Sequence, residues 1–257
     1  MISAHTTLCI SISSSPGRMG TLAHNAGYRA LGLDYLYKAF QVHDLANAIA
    51  GVRGLGIRGC SVSMPFKEAV LPYLDALDPS ASAIGAVNTI VNEQGRLIGY
   101  NTDAIGAQEV LSPFLRDLRE PILILGAGGV ARAILYALQQ LGMKHIFLSS
   151  RSPEKSRIVA QKFGAHLIPW SEREQTTASV LIHATPLDLP IGMLRPFRLV
   201  MDVVVSPSGT SLIREAKKLG IPVIEGVTMA LHQAFAQFSL YTGLEAPRDA
   251  MSQAVLS

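Results

Sequence analysis

The chain has 257 residues, of which 49% are hydrophobic and 16% charged, and its formal net charge is +3. This composition is typical of a compact globular protein that is long enough for two modest cores, and it excludes long solvated tails. The charge excess is too small and too scattered to indicate a nucleic-acid partner. Because no apolar run reaches the length of a membrane span, we expect no membrane partner either.

The cysteines and the first residues bear on the cellular compartment. Cys9 and Cys60 lie in apolar, strand-like runs, and two cysteines are too few for a disulfide framework, so we expect buried thiols. The segment 1–5 lacks the charged and then apolar layout of a signal peptide. The sequence therefore predicts a cytoplasmic protein, monomeric or homodimeric, whose partner is a small molecule.

In the first hundred residues, β-branched runs alternate with helical patterns, which favours parallel strands with crossover helices. Strands are predicted at 8–13, 36–40 and 57–62, and helices at 45–52 and 66–77. The segments 87–92 and 96–100 then flank Glu93-Gln94-Gly95, a turn-forming stretch that predicts a β-hairpin. A helix is expected to begin near Thr102 and Asp103, since both are good N-cap residues.

The second half of the chain starts after residues 112–121, a seam rich in proline and charge. Strands are predicted at 122–125, 146–149, 180–184, 199–205 and 222–224. Helices are predicted at 130–141, 153–163, 211–218, 228–241 and 247–255. The alternation predicts a second α/β segment with a parallel sheet.

A glycine-rich turn follows the first of these strands, with the sequence Gly126-Ala127-Gly128-Gly129-Val130-Ala131. Between an apolar strand and an Ala-rich helix, this pattern is typical of a dinucleotide-binding βαβ unit. Gly126 permits the tight turn, Gly128 lets the backbone approach a pyrophosphate, and Ala131 keeps helix and strand close. The alternative is a tight turn without a ligand.

The end of the next strand indicates which dinucleotide is bound. An NAD site normally has Asp or Glu there, whereas this chain has Ser150, Arg151 and, one helical turn on, Lys155. The two cations can bind a 2′-phosphate, which favours NADP. The carboxylate of Glu154 either disfavours a phosphate here or pairs with Arg151 and orients it. The alternative for Arg151 and Lys155 is that they belong to an ordinary solvated loop.

Candidate groups for chemistry lie upstream of the glycine turn. Lys67 stands in the first turn of a predicted helix, where the dipole disfavours a cation, so it is either a chance exposed side chain or a recruited one. Asn88 is a polar residue in an apolar strand, and its ordinary role is to bond nearby backbone. For Asp103 the ordinary role is a helix N-cap.

The order of these motifs resembles the shikimate dehydrogenases, including the quinate/shikimate dehydrogenases. The resemblance runs from about Cys9 to Gln237 and rests on five features. They are Pro65-Phe66-Lys67-Glu68, Gly85-Ala86-Val87-Asn88-Thr89, Asn101-Thr102-Asp103, the glycine turn and Gln233. The family implies an α/β fold, with an N-terminal substrate-binding domain at 1–103, to which 238–257 return, and a Rossmann-type NADP-binding domain at 104–237.

The resemblance also implies roles for particular residues. Lys67 matches the catalytic lysine and Asp103 its partner aspartate. Substrate contacts are implied for Thr21, Ser63, Asn88 and Gln233. Cofactor contacts are implied for Gly126, Ala127, Gly128, Gly129, Val130, Ser150, Arg151, Lys155, Val203 and Gly226. No Cys/His cluster with metal spacing is present, so no metal is expected.

This chain departs from the family pattern where the substrate carboxylate is held. The serines of Ser13-Ser14-Ser15-Pro16 match the usual motif but stand too far from His24-Asn25, and alignment on that pair brings Arg18 and Thr21 to the site instead. Ser61 and Ser63 replace the usual Asn and Thr, and Val205 replaces a substrate-touching tyrosine. These changes indicate a divergent subgroup.

The leading hypothesis is an NADP-dependent oxidoreductase of aromatic amino acid biosynthesis. It would reduce 3-dehydroshikimate, or a related cyclic keto acid, to shikimate, with Lys67 delivering a proton to the ketone oxygen. One alternative is a catalytically weak NADP-binding paralogue with a regulatory role, or an enzyme for another acid such as quinate. A third is an unrelated NADP enzyme that shares only the nucleotide domain.

Overall fold

The computed structural model describes residues 2–115, 120–187, 189, 194, 197–206 and 208–257. These residues form two compact units, the first drawn from 2–102 and 233–257 and the second from 103–232. Each unit contains a six-stranded sheet. No helix among the described residues combines the length and the hydropathy that crossing a membrane requires.

The sheet of the first unit has the strand order β2-β1-β3-β5-β6-β4. Its strands are β1 (Thr7–Ser13), β2 (Tyr35–Gln41), β3 (Gly59–Val62), β4 (Ala76–Leu77), β5 (Thr89–Glu93) and β6 (Arg96–Tyr100). Strand β1 pairs in parallel with β2 and β3, whereas β5 and β6 form the predicted antiparallel hairpin. Gln94 and Gly95 both have positive φ at its turn, as a tight hairpin requires.

The helices of this part of the chain are α1 (Met19–Ala30), α2 (Leu45–Gly54), α3 (Phe66–Ala69) and α4 (Pro79–Ile84). The sequence does not predict α1, because Gly20 and Gly27 obscure its helical pattern. Both glycines have a packing reason, since a methyl group at Gly20 would lie 3.2 Å from the Tyr37 hydroxyl and one at Gly27 would lie 2.7 Å from the Phe238 ring.

The helix predicted at 66–77 is wrong. Only one turn, α3, forms there, followed by a 3-10 turn at Leu71–Tyr73 that contains Pro72. Proline has no N–H to continue a helix, and the chain beyond it pairs with β6 instead. Asp75 and Asp78 donate their backbone N–H groups to carbonyls of β6 at 2.9 and 2.8 Å.

The second unit has six parallel strands in the order β12-β11-β10-β7-β8-β9. They are β7 (Ile122–Leu125), β8 (Ile146–Ser149), β9 (His166–Leu167), β10 (Val180–His183), β11 (Leu199–Asp202) and β12 (Val223–Glu225). Numbered along this unit, the order is the 3-2-1-4-5-6 arrangement of dinucleotide-binding folds. The predicted fold class, two α/β units of which one is of the Rossmann type, is confirmed.

The remaining helices follow the prediction within a few residues. They are α5 (Thr102–Leu115), α6 (Gly129–Gln140), α7 (Pro153–Phe163), α8 (Ser211–Lys218), α9 (Gly226–Thr242) and α10 (Arg248–Leu256). The predicted seam at 112–121 lies partly outside the described residues, and its first residues continue α5.

Burial on both faces explains why the strands of the second unit read as short apolar runs. All four residues of β7 are buried, with Ile122 and Ile124 in one core cluster and Leu123 and Leu125 in another. Because side chains alternate along a strand, the two pairs lie on opposite faces of the sheet. The strand is therefore central, and its carboxyl end leads into the glycine turn.

Replacement of Gly59 by alanine is expected to destabilise the protein by about 1–3 kcal/mol. A methyl group there would lie 2.3 Å from the buried Tyr241 ring, which cannot move without disturbing the core. The matched control is Gly51→Ala in α2, where a methyl group meets nothing within 4 Å. Denaturant unfolding should show a loss for Gly59→Ala only, and equal stabilities would contradict this packing.

Candidate functional site

The glycine turn between β7 and α6 has the geometry that a dinucleotide site requires. Gly126 has φ +123°, and a side-chain carbon there would lie 2.5 Å from the carbonyl oxygen of Ala184. Gly128 instead has extended backbone, and a carbon added to it would meet nothing within 4 Å. The first glycine is therefore required by the fold, whereas the second leaves open space beside the start of the helix.

Helix α6 begins beyond Gly128 without a side-chain cap. The opening N–H groups of a helix have no partner within the helix, and its dipole favours an anion at that end. Ala131 is fully buried, which keeps α6 close to the sheet. The residues of the turn thus fit the pyrophosphate of a dinucleotide. They leave space for it, and the first N–H groups and the dipole of α6 both favour an anion there.

The segment after β8 carries the predicted phosphate-binding cations. The Ser150 hydroxyl lies 2.5 Å from that of Ser156 and 3.3 Å from the Ser152 backbone N–H, so it shapes the turn into α7. Arg151 and Lys155 are exposed at the start of that helix. Glu154, which lies between them in the first turn of α7, is exposed as well.

Val203 and Gly226, the other residues assigned to the cofactor, lie against each other. A side-chain carbon at Gly226 would stand 2.6 Å from the Val203 carbonyl oxygen and 2.5 Å from that of Val204. Only glycine permits this approach of the start of α9 to the end of β11. Val203 also donates its N–H to the His183 carbonyl at 3.0 Å, which extends the hydrogen bonding between β10 and β11 beyond Asp202.

Lys67 and Ser63 lie just beyond the carboxyl end of β3. Ser63 is exposed and donates its N–H to the Ile12 carbonyl at 3.0 Å. Lys67 is half-buried, and its carbonyl accepts the N–H of Val87 at 2.8 Å. Since α3 is only one turn long, its dipole is too weak to disfavour a cation at Lys67.

Asn88 is the centre of a buried polar network in the first unit. Its Nδ2 donates to Thr102 Oγ1 at 3.0 Å and to Gln233 Oε1 at 3.3 Å. Its Oδ1 accepts the Thr102 N–H and the Thr89 hydroxyl, both at 2.8 Å. The structure thus brings together two predicted substrate residues, Asn88 and Gln233, and gives Asn88 the further task of capping the start of α5.

Gln237, for which the sequence predicts no role, extends this network. It is 1% exposed, and its Nε2 lies 2.9 Å from Thr89 Oγ1 and 3.2 Å from Ser61 Oγ. Its Oε1 accepts from His24 Nε2 at 3.4 Å. Gln237 follows Gln233 by one helical turn, and this i, i+4 spacing was the signal that could have identified it.

His24 is fully buried in the first unit. Its ring stacks on Tyr37 with centroids 4.4 Å apart and planes 9° apart. Burial lowers the pKa of His24 from 6.5 to about 4, and the hydrogen bond that His24 donates to Gln237 opposes this only in part. The histidine is therefore neutral in the folded protein at ordinary pH.

The residues predicted to bind the substrate carboxylate lie at the end of β1 and around the start of α1. The Ser13 hydroxyl is buried without a partner among the described residues, and the Ser14 hydroxyl lies 3.4 Å from the Met64 carbonyl oxygen. Arg18 is exposed just before α1, and Thr21 is half-buried in its first turn.

Asp103 lies in the first turn of α5, in the second unit, and is 6% exposed.

Further along the same unit, His232 Nδ1 is 2.6 Å from Glu109 Oε2. Among the described residues, no group of three or more His, Cys, Asp or Glu side chains is placed to hold a metal ion.

Comparison with known families agrees with this architecture. Residues 9–90 match the family described as shikimate dehydrogenase substrate binding domain, and residues 226–256 match shikimate 5'-dehydrogenase C-terminal domain. Residues 121–208, which include the glycine turn, match a family described as NADP oxidoreductase coenzyme F420-dependent.

Individual relatives cover almost the whole chain. A shikimate dehydrogenase-like protein of Haemophilus influenzae is 38% identical over 94% of this chain and 93% of its own length. A shikimate dehydrogenase (NADP(+)) of Pyrococcus abyssi is 40% identical, with 88% of each chain covered. The chain therefore belongs to the shikimate dehydrogenase family, and the predicted resemblance is confirmed.

Solved structures of shikimate and quinate dehydrogenases are similar to this chain over nearly its full length. The shikimate 5-dehydrogenase of Thermus thermophilus, in complex with NADP(H) and shikimate, is 32% identical with a TM-score of 0.85 over 97% of this chain and 98% of its own. A quinate dehydrogenase of Corynebacterium glutamicum, in complex with NAD, is 27% identical with a TM-score of 0.89 over 98% of this chain and 99% of its own.

The stability of the protein is expected to fall as the pH is lowered from about 6.5 to about 4, because the unfolded chain then binds a proton at His24 that the folded chain does not. The contribution of His24 is about 3 kcal/mol across this window. His24→Phe keeps the aromatic stack and removes the titrating group, so its unfolding free energy should depend less on pH. Denaturant unfolding at several pH values would measure this, and identical pH dependences in the two proteins would contradict it.

Proposed function

We propose that this protein is an NADP-dependent oxidoreductase that reduces 3-dehydroshikimate, or a closely related cyclic keto acid, to shikimate. The observation that carries the proposal is the similarity over nearly the full length to enzymes named shikimate dehydrogenase (NADP(+)). The glycine turn supports it independently, because the space at Gly128 and the uncapped start of α6 suit a pyrophosphate.

NADPH would be held by the second unit. The turn from Gly126 to Val130 would bind the pyrophosphate, and Ser150, Arg151 and Lys155 would bind the 2′-phosphate. Val203 and Gly226 would lie beside the nicotinamide. When bound, the cofactor supplies the hydride. The exposed guanidinium of Arg151 suits this role because its planar fork matches two phosphate oxygens.

Lys67 and Asp103 are proposed as the catalytic pair. As hydride reaches the ketone carbon, negative charge develops on the ketone oxygen, and Lys67 Nζ would stabilise that charge and deliver a proton to it. In the reverse direction Lys67 would act as the base. Asp103 would orient the lysine and accept a hydrogen bond from a neighbouring substrate hydroxyl.

The substrate would be held by polar groups of the first unit. Asn88 and Gln233, whose amides are 3.3 Å apart, are proposed to bind ring hydroxyls, and Ser63 and Thr21 to bind the rest of the acid. The surrounding network fixes the Asn88 amide before the substrate arrives, which reduces the cost of orienting it.

One observation favours a related acid such as quinate as a second candidate substrate. Val205, at the position of a substrate-touching tyrosine, is 48% exposed and offers no hydrogen-bonding group. A site that lacks one polar contact discriminates less strongly between acids that differ by a hydroxyl group.

Replacing Lys67 by methionine is expected to lower kcat by about 10²–10⁴-fold, because the proton donor of the chemical step is removed. NADPH affinity and the free energy of unfolding should change little. Lys144→Met, at an exposed lysine of the second unit, is the control for loss of a charge. Steady-state kinetics with 3-dehydroshikimate would measure the effect, and a Lys67→Met enzyme with the wild-type kcat would refute the assigned role.

Replacing Arg151 by alanine is expected to raise the KM for NADPH by about 10–100-fold while the KM for NADH stays within about twofold, since only NADPH carries the 2′-phosphate. The control is Arg157→Ala, an exposed arginine on the same helix α7. Equal losses with both cofactors would show that Arg151 does not bind the 2′-phosphate.

A further inference from the structure

A buried carboxylate, imidazole and hydroxyl form a chain at the carboxyl ends of β10 and β11. Asp202 and His183 are the last residues of these strands and are 1% and 2% exposed. His183 Nδ1 is 3.2 Å from Asp202 Oδ1, and His183 Nε2 is 2.7 Å from Thr185 Oγ1. None of the three has a role in the site described above.

Asp202 is held in place by two other donors. Its Oδ1 accepts the Val204 N–H at 3.0 Å, and its Oδ2 accepts the hydroxyl of Thr210, the N-cap of α8, at 2.7 Å. The contact with His183 lies off the ideal hydrogen-bond direction. A lone pair on Nδ1 would nevertheless be repelled by the carboxylate, so these partners assign the imidazole proton to Nδ1.

The tautomer of His183 decides what the Thr185 hydroxyl can do. With the proton on Nδ1, Nε2 is an acceptor, and the Thr185 hydroxyl donates its only proton to it. Thr185 Oγ1 accepts the Leu187 N–H at 3.2 Å, and its other lone pair has no partner among the described residues. The hydroxyl can therefore receive one more hydrogen bond but cannot donate one.

Thr185 lies directly against the glycine turn. A side-chain carbon at Gly126 would stand 3.2 Å from Thr185 Cγ2, next to the contact with the Ala184 carbonyl. Thr185 is itself half-buried. The methyl group of Thr185 thus packs where the first glycine of the turn meets the edge of the sheet, and the hydroxyl on the same Cβ faces His183.

We propose that His183, held by Asp202, is a positioning residue that presents the Thr185 hydroxyl to the bound dinucleotide as a hydrogen-bond acceptor. The group it receives is a donor, either a ribose hydroxyl or the N–H of the nicotinamide carboxamide. A phosphate oxygen is excluded, because it offers no proton. The inference rests on the proposed function in that NADP must bind at the glycine turn.

The test is the equilibrium dissociation constant of NADPH, measured by fluorescence titration without turnover. Thr185→Val keeps the shape and removes the hydroxyl, and it should weaken binding about 3–10-fold. His183→Leu should give the same loss, and the double variant no more than either single one, because the two residues act as a unit. Thr185→Ser keeps the hydroxyl and should therefore bind NADPH almost as tightly as the wild type.

The matched control is Thr210→Val, which removes a hydrogen bond to the same carboxylate but leaves the Thr185 hydroxyl in place. It should change the dissociation constant less than twofold. Unfolding curves of each variant separate loss of binding from loss of fold.

A second ligand distinguishes the two donors. The 3-acetylpyridine analogue of NADPH lacks the carboxamide N–H. If Thr185→Val weakens NADPH but not the analogue, the donor is the carboxamide, and if it weakens both equally, the donor is a ribose hydroxyl. Both results support the proposal.

The inference is overturned if folded Thr185→Val or folded His183→Leu binds NADPH as tightly as the wild type. A wild-type protein that does not bind NADPH at all would overturn the proposed function as well. The two failures are therefore distinguishable.

Discussion

The side-chain amide of Asn88 is the constraint on which the polar centre of the first unit depends. Buried amide groups must be hydrogen-bonded, because leaving one unsatisfied costs about 1–3 kcal/mol. Asn88 is 2% exposed, and both the nitrogen and the oxygen of its amide are bonded to Thr102, which holds this first residue of α5 against the start of β5. The proposed substrate residue Gln233 is fixed by the same amide. A group proposed to recognise substrate is thus also required by the fold.

In the second unit, the fold depends on two places where one backbone segment passes very close to another. The carbonyl of Ala184 stands so near Gly126 that no other residue fits there, and this brings the segment after β10 against the glycine turn. Gly226 admits the carbonyls of Val203 and Val204 in the same way. Both close approaches lie at the carboxyl edge of the parallel sheet, which is where ligands bind in such folds.

The sequence predicted most of what local patterns control. Strands β7 and β8 and helix α7 occur where predicted, because short apolar runs and a proline at the first helical position are local signals. Helix α3 ends early because Pro72 and the pairing with β6 override the helical pattern, and this pairing is a tertiary effect. Gln237 and His183 gave no motif, since their roles arise only from partners far along the chain or on a neighbouring strand.

The activity expected of this chain is the oxidation of shikimate with NADP, and the initial rate of nicotinamide reduction measures it. Shikimate and quinate would each be paired with NADP and with NAD, and kcat/KM compared across the four combinations. This activity requires the highest kcat/KM for shikimate with NADP, and a lower value whenever NAD replaces NADP. NADPH binding without turnover in any combination would contradict it, as would a preference for NAD with both acids.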